Sequence, residues 1–472
     1  MFDAIIIGAG VVGNSLAYQL SRYQGRFLVL EKQRDLGEGT SKANSAIAHG
    51  GYDAVPGTKK AEMNALGIRM MGEIAKTLDF PFRRIGSLVL CHKEENRPAI
   101  EKLYRQGLAN GTRGMEIWEH DRILKEEPEV EENVVCALYC SDAGIVDPFL
   151  MTWAFAEQAE VNGVEFRFEE VVKKIEKIRG GWRLTTAKES YETRAVVNCA
   201  GLYADELHNM VSDRKYTIKP RSGEYWLLDK ETQGFCHHVL FDVPTEKGKG
   251  VLVTPTTPGN ILIGPTSTFV DKKDAVATTT AGIREVHDKS GQMVRNLPYG
   301  KVITSFTGLR AHEEEGDFVL DQAEPGFYDC LGIESPGLTA SPAIGKVMAD
   351  KVGEDLELGK NPSFLAERKA PPDPKKMSLE EFNQLVKKEP AYGRIICRCE
   401  QVTEGEIVAA IHCPLGARSL DGLKRRVRAT AGRCQGGFCT PLLIKILARE
   451  LNEDPCRILK NDRGSYLLSG KR

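Results

Sequence analysis

Apolar and polar positions in the first thirty residues follow one another in an order that predicts a strand, a tight turn, a helix and a second strand. The first apolar run, residues 4–7, is short and β-branched and ends in glycines. An apolar stretch then extends from residue 12 to about residue 23, and 27–30 forms the next apolar run. This order predicts one βαβ unit of a parallel sheet.

Later apolar runs extend this picture. Residues 195–201 and 328–333 are rich in apolar residues and contain a glycine near the end of each run, which predicts further strands of the same sheet. Alternating apolar and polar positions in 175–188, 221–229 and 250–264 predict antiparallel strands instead. The pattern therefore predicts a nucleotide-binding domain assembled from separated pieces, with a β-rich domain inserted between them.

Composition excludes several classes of protein. The 472 residues are 41% hydrophobic and 28% charged, values typical of globular proteins, so a disordered or fibrous chain is not expected. The first residues lack the basic segment of a signal peptide, and no stretch approaches the roughly 18 apolar residues of a membrane-spanning helix. We expect a cytoplasmic protein without a transmembrane segment, whose association with the inner face of the membrane would be peripheral and through a partner.

Charge divides the chain in two. A proline- and lysine-rich stretch, 369–376, is the clearest linker signal, and a new module begins near Gly393. From Gly393 to the end there are 15 Lys and Arg residues against 8 Asp and Glu residues, a charge of +7, whereas the preceding 392 residues carry −9. The net charge of −2 gives no global basic signal, so nucleic acid is not an expected partner.

The first turn has the sequence of a dinucleotide site. Gly8, Gly10 and Gly13 follow a predicted strand and open a predicted helix, and Glu31 ends the next strand. The first glycine permits the tight turn, the second allows the backbone to approach a pyrophosphate, and the third permits close packing of helix on strand. Glu31 is placed to accept hydrogen bonds from a ribose diol. The motif by itself does not distinguish FAD from NAD.

Three stretches resemble the D-amino-acid-oxidase-like superfamily of FAD-dependent oxidoreductases. They are TSKANSAIAHGG at 40–51, VVNCAGLYAD at 196–205 and GIESPGLTASP at 332–342. The resemblance implies FAD, with the first stretch along the isoalloxazine ring, the second near the pyrophosphate and the third directing a helix N-terminus at the pyrimidine edge. Besides the first turn and Glu31, it implies these cofactor-binding residues: Thr40, Ser41, Asn44, Ser45, Ala200, Gly201, Gly337, Leu338 and Thr339.

Four cysteines near the C-terminus form two close pairs. Cys397 and Cys399 make a C-x-C pair, and Cys434 and Cys439 make a C-x4-C pair after 34 intervening residues. Four thiolates with this spacing suit an iron–sulfur cluster better than zinc, and uncoordinated thiols are the third alternative. The pattern resembles the bacterioferritin-associated-ferredoxin-like domain, which implies that the four cysteines bind a 2Fe-2S cluster.

The remaining features of this module have simpler interpretations. Cys413 and Cys456 match no motif position and are expected to be packing residues. The basic run 424–428 is interpreted as an exposed helix face that offsets the anionic cluster or docks an acidic partner, in preference to a nucleic-acid site.

The predicted fold class is α/β and α+β. It combines a discontinuous Rossmann-like FAD-binding domain, an inserted antiparallel β-rich substrate domain and a small C-terminal helical 2Fe-2S domain. The predicted boundaries are 1–80, 145–215 and 305–355 for the FAD-binding domain, 81–144 and 216–304 for the substrate domain, 356–392 for a linker, and 393–472 for the 2Fe-2S domain and C-terminal tail.

The two cofactors together favour a dehydrogenase. FAD accepts two electrons as a hydride and a 2Fe-2S centre passes one at a time, so the combination favours an enzyme that sends electrons to a protein subunit or a quinone-linked partner. It resembles the large catalytic subunit of anaerobic glycerol-3-phosphate dehydrogenases, which implies oxidation of sn-glycerol 3-phosphate to dihydroxyacetone phosphate with hydride transfer to flavin N5. The flavin domain also resembles L-2-hydroxyglutarate oxidoreductases, so a hydroxy-acid or amino-acid dehydrogenase is one alternative. A non-catalytic electron-transfer or redox-sensing subunit is another.

Two residues are predicted to act on a small anionic substrate. His49 is the expected base for the hydroxyl proton, with His312 as an alternative, and Arg310 matches a family position that binds a substrate anion. The alternative interpretations are a flavin-packing histidine and a surface salt bridge. The glycerol-3-phosphate branch has an arginine shortly after the histidine, whereas Gly50 to Ala54 contain none. Segment 56–61 is closer to the hydroxyglutarate branch.

Overall fold

A computed structural model describes residues 1–244 and 250–470. The chain divides into two compact units, the first formed by 1–32 and 37–366 and the second by 33–36 and 367–472. Residues 245–249 of the predicted substrate domain, and the last two residues of the predicted C-terminal domain, lie outside the described part. Within the described part, no helix is both long and apolar enough to cross a membrane.

The first half of the chain alternates strands and helices. In chain order its elements are β1 (Phe2–Ile7), α1 (Val11–Leu20), β2 (Phe27–Glu31), β3 (Ile47–Ala48), α2 (Lys59–Thr77), β4 (Phe82–Arg84), β5 (Ser87–Cys91), α3 (Arg97–Ala109), β6 (Met115–Glu119), α4 (His120–Glu126), β7 (Cys136–Cys140), β8 (Gly144–Val146), α5 (Pro148–Val161), β9 (Glu165–Phe168), β10 (Lys174–Ile178), β11 (Gly181–Thr185), β12 (Ser190–Asn198) and α6 (Ala204–Val211).

The second half begins with antiparallel strands and ends in short helices. Its elements are β13 (Ile218–Leu228), β14 (Val239–Asp242), β15 (Leu252–Pro255), β16 (Ile261–Gly264), β17 (Thr268–Phe269), α7 (Thr280–Gly291), β18 (Val302–Glu313), β19 (Val319–Glu324), β20 (Phe327–Leu331), α8 (Gly337–Asp355), α9 (Leu379–Lys388), β21 (Ile395–Cys397), β22 (Val402–Thr403), α10 (Glu404–His412), α11 (Leu420–Val427) and α12 (Thr440–Leu451).

An eight-stranded sheet forms the nucleotide-binding part of the first unit. Its main order is β10-β11-β12-β1-β2-β9, with β20 beside β12 and β19 beside β20. Strands β20, β12, β1, β2 and β9 are parallel, and the apolar residues of β1 and β2 are buried, as expected for a sheet covered on both faces. The predicted βαβ unit and the two later strands of the same sheet are confirmed.

A nine-stranded sheet forms the second layer of the first unit. Its order is β17-β13-β16-β15-β14-β5-β7-β6, and β18 runs antiparallel along the length of β13. All its neighbours are antiparallel except β14 and β5. Because β18 belongs to this sheet, the boundary predicted at residue 305 falls inside a strand. The predicted fold class, a Rossmann-like domain with an antiparallel insertion, is confirmed.

The second unit is small and mainly helical. Helices α10, α11 and α12 enclose a core of aliphatic side chains. It includes Ile407, Leu423, Leu443 and Leu447, which are all fully buried. Helix α9 lies inside the segment predicted as a linker, and it begins with a capping box in which Ser378 and Glu381 bond each other's backbone N–H.

Candidate functional site

The three glycines of the first turn have different surroundings. Gly8 has φ +104°, and a Cβ there would lie 2.5 Å from the carbonyl oxygen of Cys199. A Cβ on Gly13 would lie 2.0 Å from the oxygen of Gly8, so this glycine is required for helix α1 to pack on strand β1. A Cβ on Gly10 would meet only the Ser41 hydroxyl, at 3.4 Å. The backbone at Gly10 is therefore open to a ligand.

The start of helix α1 is suited to a pyrophosphate. Its N-cap residue, Gly10, provides no side-chain hydrogen bond, and the Val11 N–H donates to the Ser41 hydroxyl at 2.9 Å. The remaining amides of the first turn and the positive end of the helix dipole favour an anion. Glu31, at the end of β2, accepts a hydrogen bond from the Ala9 N–H at 2.7 Å and is 8% exposed. These residues fit the pyrophosphate and ribose of FAD.

The segment predicted to lie along the isoalloxazine ring is fixed by its own side chains. The Thr40 hydroxyl donates to the carbonyl of Leu309 at 2.7 Å, next to Arg310. The Asn44 amide donates to the carbonyls of Thr40 and Ser41, and its oxygen accepts from the Ala46 N–H. The polar residues at 40–44 therefore hold the loop against strand β18, a role that their residue types alone did not indicate.

The turn after β12 rests on a buried polar chain. The Asn198 oxygen accepts from the Ala200 N–H at 3.3 Å, and the Asn198 amide donates to Asp329 at 2.8 Å. Asp329 also lies 2.6 Å from His208 Nδ1. Burial lowers the pKa of His208, but the hydrogen bond and charge of Asp329 outweigh this and raise it overall. Gly201, at φ +58° and with open space on its Cβ side, completes the turn.

The N-terminus of helix α8 supports His49. The helix begins at Gly337 without a side-chain cap, and Leu338 and Thr339 form its first turn. The Thr339 hydroxyl, fully buried, accepts from the His49 backbone N–H at 2.8 Å. His49 Nε2 lies 3.4 Å from the Ser335 hydroxyl. The stretch 332–342 therefore contacts the stretch 40–51 at His49, whereas 196–205 belongs to a different part of the site.

One face of the β13–β18 pair changes along its length from aromatic residues to glycines and then to arginines. Tyr225 stacks on Phe306 with ring centroids 4.7 Å apart, and the Tyr225 hydroxyl lies 3.2 Å from that of Ser45. The next pair on this face consists of two glycines, and a Cβ on Gly308 would lie 2.0 Å from the Ala43 oxygen. The pair after that consists of two arginines, Arg221 and Arg310.

The cationic end of this face surrounds one carboxylate. Glu334, whose side chain is 4% exposed, accepts from Lys60 Nζ at 2.9 Å and from Arg221 Nη2 at 2.7 Å, and lies 3.1 Å from His312 Nδ1. Burial raises the pKa of Glu334, but Lys60 and Arg221 outweigh burial and lower it to about 2. Within the described part of the chain, Arg310 donates only to the Thr266 carbonyl, at 3.3 and 3.4 Å. Among the described residues, no carboxylate pairs with Arg310.

The four C-terminal thiols lie in two neighbouring pairs. Cys397 lies beside Cys439, and Cys399 lies beside Cys434. The described residues do not gather three such donors around one point, as a single metal ion would require. Four thiols in two pairs supply the four cysteine ligands of a 2Fe-2S centre, two for each iron.

Backbone N–H groups are directed at these sulfurs. The Cys439 thiol, followed by the N–H of Thr430, lowers the pKa of Cys397 to about 6, and the N–H of Phe438 lowers the pKa of Cys434. Thr430 has φ +76°, and Cys439 is the N-cap residue of helix α12. At Cys397 and Cys434 these donors favour the thiolate, the form that binds iron. Cys397 and then burial raise the pKa of Cys439. The N–H of Cys434 lowers the pKa of Cys399, but burial and the Cys434 thiol outweigh it and raise the pKa overall.

The interpretation of the basic run as an exposed face is wrong. Arg425 and Arg426 are 8% and 5% exposed, and both bond Asp35 within the second unit, Arg426 through two nitrogens at 2.7 Å. Burial raises the pKa of Asp35, but Arg426 and then Arg425 outweigh it and lower the pKa to about 2. Arg428 bonds Glu400, the residue after Cys399, at 2.9 Å. The run therefore stabilises the inside of the unit.

Some residues at the site were not anticipated. Lys60 and Glu334 lie in segments whose only signal is a family resemblance, which gives neither of them a role. Arg221 carries no signal in the sequence, because only the register of β13 on β18 places it opposite Arg310. The predicted cofactor and substrate residues all lie in the first unit, and the four predicted cysteines in the second.

Both parts of the chain match known protein families. Residues 3–351 match the family described as FAD dependent oxidoreductase, and residues 395–449 match the BFD-like [2Fe-2S] binding domain. A protein from Caloramator mitchellensis named glycerol 3-phosphate dehydrogenase is 46% identical over 475 residues, which cover 100% of this chain and 98% of the relative.

Two further relatives match the flavin part. A glycerol 3-phosphate oxidase from Mycoplasma genitalium is 31% identical, with 77% of this chain and 98% of the relative covered. The structure of dithionite-reduced L-alpha-glycerophosphate oxidase from Mycoplasma pneumoniae with FAD bound is similar with a TM-score of 0.74 and 30% identity, and covers 79% of this chain and 99% of that one.

Proposed function

The chain belongs to the FAD-dependent oxidoreductase family and carries a BFD-like [2Fe-2S] binding domain, and we propose that it oxidises sn-glycerol 3-phosphate to dihydroxyacetone phosphate. One observation carries the proposal: a glycerol 3-phosphate dehydrogenase matches the whole chain, including both cofactor domains, at 46% identity. The expected cofactors are FAD and a 2Fe-2S cluster. The electrons released are proposed to leave through the cluster to a protein or quinone-linked acceptor.

The residues of the first unit support this chemistry. FAD, when bound, accepts a hydride from the substrate carbon and releases electrons singly to a one-electron centre. The hydroxyl proton then requires a base, and His49 is the proposed one, acting through Nε2. The Thr339 hydroxyl fixes the backbone of His49, and the Ser335 hydroxyl lies beside Nε2 of its ring.

Arg310 is proposed to orient the substrate anion. Its guanidinium has only long bonds to the Thr266 carbonyl, so its donors are available to an anion. Gly223 lies opposite Gly308 on the neighbouring strand, and a Cβ there would lie 2.8 Å from Arg310 Nη2. A glycine at 223 therefore leaves the space that the guanidinium occupies.

The proposal is tested by reducing the flavin anaerobically with single compounds. We expect sn-glycerol 3-phosphate to bleach the flavin, and L-2-hydroxyglutarate, glycerol and a panel of amino acids not to do so. His49→Gln should slow bleaching by about 100-fold or more, the usual contribution of a general base. Arg310→Ala should raise the substrate concentration that is needed to bleach the flavin, without releasing FAD. Bleaching by L-2-hydroxyglutarate or an amino acid alone would replace the proposed substrate, and bleaching by none of them would end the catalytic proposal.

A further inference from the structure

The glycerol-3-phosphate branch places an arginine shortly after the histidine that corresponds to His49, and this chain has none there. Three permanent cations nevertheless meet at the end of the β13–β18 face: Lys60, Arg221 and Arg310. They come from helix α2 and from two adjacent strands. The cationic character of the site thus arises from residues far apart in the sequence.

The charges of this cluster do not balance. Among the described residues, Glu334 is the single carboxylate that the side chains of Lys60 and Arg221 contact, and Arg310 has no ionic partner. These four side chains sum to a charge of +2 before any contribution from His312. The Asp317 carboxylate lies on the backbone side of helix α2, where it accepts from the N–H groups of Lys59 and Lys60 at 2.8 Å. Like charges on directly opposed residues of an antiparallel pair repel each other, so Arg221 and Arg310 disfavour the ligand-free arrangement. An anion between them would relieve this repulsion.

Donor capacity points in the same direction. The Nε–H of Arg221 is buried and has no acceptor among the described residues, although its Nη2 bonds Glu334. The guanidinium of Arg310 has only its long contacts to a carbonyl. Two guanidinium groups with unused donors, opposed on one sheet face, match an acceptor with several oxygen atoms.

The cluster also adjoins the proposed reaction centre. Ser335, which follows Glu334 directly, lies beside His49 Nε2, and the Leu309 carbonyl next to Arg310 accepts from Thr40. A substrate that places its hydroxyl at His49 therefore has its charged end within reach of these cations. Glu334 holds Lys60 and Arg221 in place. Its negative charge offsets one of the three positive charges, so two positive charges remain for the ligand.

We propose that Arg221 and Lys60, fixed by Glu334, complete with Arg310 a binding site for the dianionic phosphate of the substrate, in place of the arginine missing after His49. This inference rests on the proposed function. A phosphate monoester is the ligand class, since it carries close to two negative charges near neutral pH and three terminal oxygen acceptors.

The test is a binding titration of the oxidised holoenzyme with inorganic phosphate, followed by the change in the flavin absorption spectrum. Arg221→Gln should raise the phosphate dissociation constant about 10- to 100-fold, the range for charge-assisted hydrogen bonds. Lys219→Gln is the matched control, because Lys219 lies on the same strand face but pairs with Glu314 at the surface. Its effect should stay within about twofold.

A second variant of Arg221 separates loss of phosphate binding from loss of FAD. If Arg221→Gln loses FAD, then Arg221→Lys, which keeps the charge and loses the forked geometry, is expected to weaken phosphate binding several-fold. Unchanged phosphate affinity in a variant of Arg221 that retains FAD would overturn the inference. If sn-glycerol 3-phosphate bleaches the wild type and Arg221→Gln at equal concentrations, the site fails while the reaction stands. If phosphate binding depends on Arg221 but no bleaching occurs, the reaction fails while the site stands.

Discussion

Two glycines of the first turn differ in what a side chain would meet, and this separates packing from ligand binding. The Cβ of an alanine at 13 would collide with the Gly8 carbonyl, at 2.0 Å, so the contact is internal to the protein. The Cβ of an alanine at 10 would be accommodated beside Ser41. Gly13 is therefore required by the fold, and Gly10 is predicted to be required by the cofactor.

This difference predicts opposite outcomes for two similar substitutions. Gly13→Ala should destabilise the apoprotein by about 1–3 kcal/mol, the usual cost of overpacking, as measured by thermal or urea unfolding. Gly10→Ala should leave unfolding of the apoprotein nearly unchanged and weaken FAD binding in a fluorescence titration. Equal FAD affinity in Gly10→Ala and wild type would show that the pyrophosphate does not bind at this turn.

His208 gives the molecule a pH-dependent stability. Both ring nitrogens face acceptors, Asp329 at 2.6 Å and the Arg214 carbonyl at 2.9 Å, and the pKa of His208 is raised in the folded protein. The proton is therefore held more tightly when the chain is folded. The stabilisation is complete below the unfolded pKa of about 6.5 and is lost as the pH rises through the higher folded value.

Thermal unfolding across this range tests the role of His208. The wild-type melting temperature should fall as the pH rises above about 6.5, and His208→Asn should remove that slope. His287→Asn is the control, since His287 is about half exposed and pairs with Asp288 at the surface. A slope that persists in His208→Asn would assign the pH dependence to another group.

At the scale of elements, helix α11 depends on one carboxylate. Arg425 and Arg426 both bond Asp35, and all three side chains are at most 10% exposed. Removing one partner from a buried ionic group leaves uncompensated charge. Asp35→Ala should therefore destabilise the second unit by about 3–5 kcal/mol, as measured by urea-induced loss of cluster absorbance.

A surface ion pair between the same helix and a residue near the C-terminus provides the comparison. Asp421 bonds Lys460 at 3.0 Å, and the lysine is 58% exposed, so Asp421→Ala should cost no more than about 1 kcal/mol. Equal unfolding midpoints for the Asp35 and Asp421 variants would contradict the importance given to the buried group.

Local patterns predicted the elements well where neighbours in sequence determine them. The strand, turn and helix at the start, the glycine hairpin of β10 and β11, and the two cysteine pairs are all short-range features. The basic run was misread because charge alone does not reveal a buried acid nearly 400 positions earlier in the chain. Likewise, the pairing of Arg221 with Arg310 depends on strand register across about 90 residues.

At the scale of the whole molecule, the two units divide the proposed chemistry. The first holds the dinucleotide turn, His49 and the cationic cluster, and the second holds the four cysteines. The family of each unit was identified from sequence motifs, because each motif is a short stretch of neighbouring residues. The proposed phosphate site combines cations from three separate segments of the chain, so only the folded structure reveals it.

Anaerobic addition of sn-glycerol 3-phosphate to the purified holoenzyme tests the proposed path from substrate through flavin to cluster, with the flavin followed by absorbance and the cluster by electron paramagnetic resonance. We expect the flavin to bleach and a reduced-cluster signal to appear in the wild type. In Cys434→Ser the flavin should still bleach without that signal, and glycerol should produce neither change. A flavin that stays oxidised, or a wild-type cluster that stays oxidised after the flavin has bleached, would contradict the account.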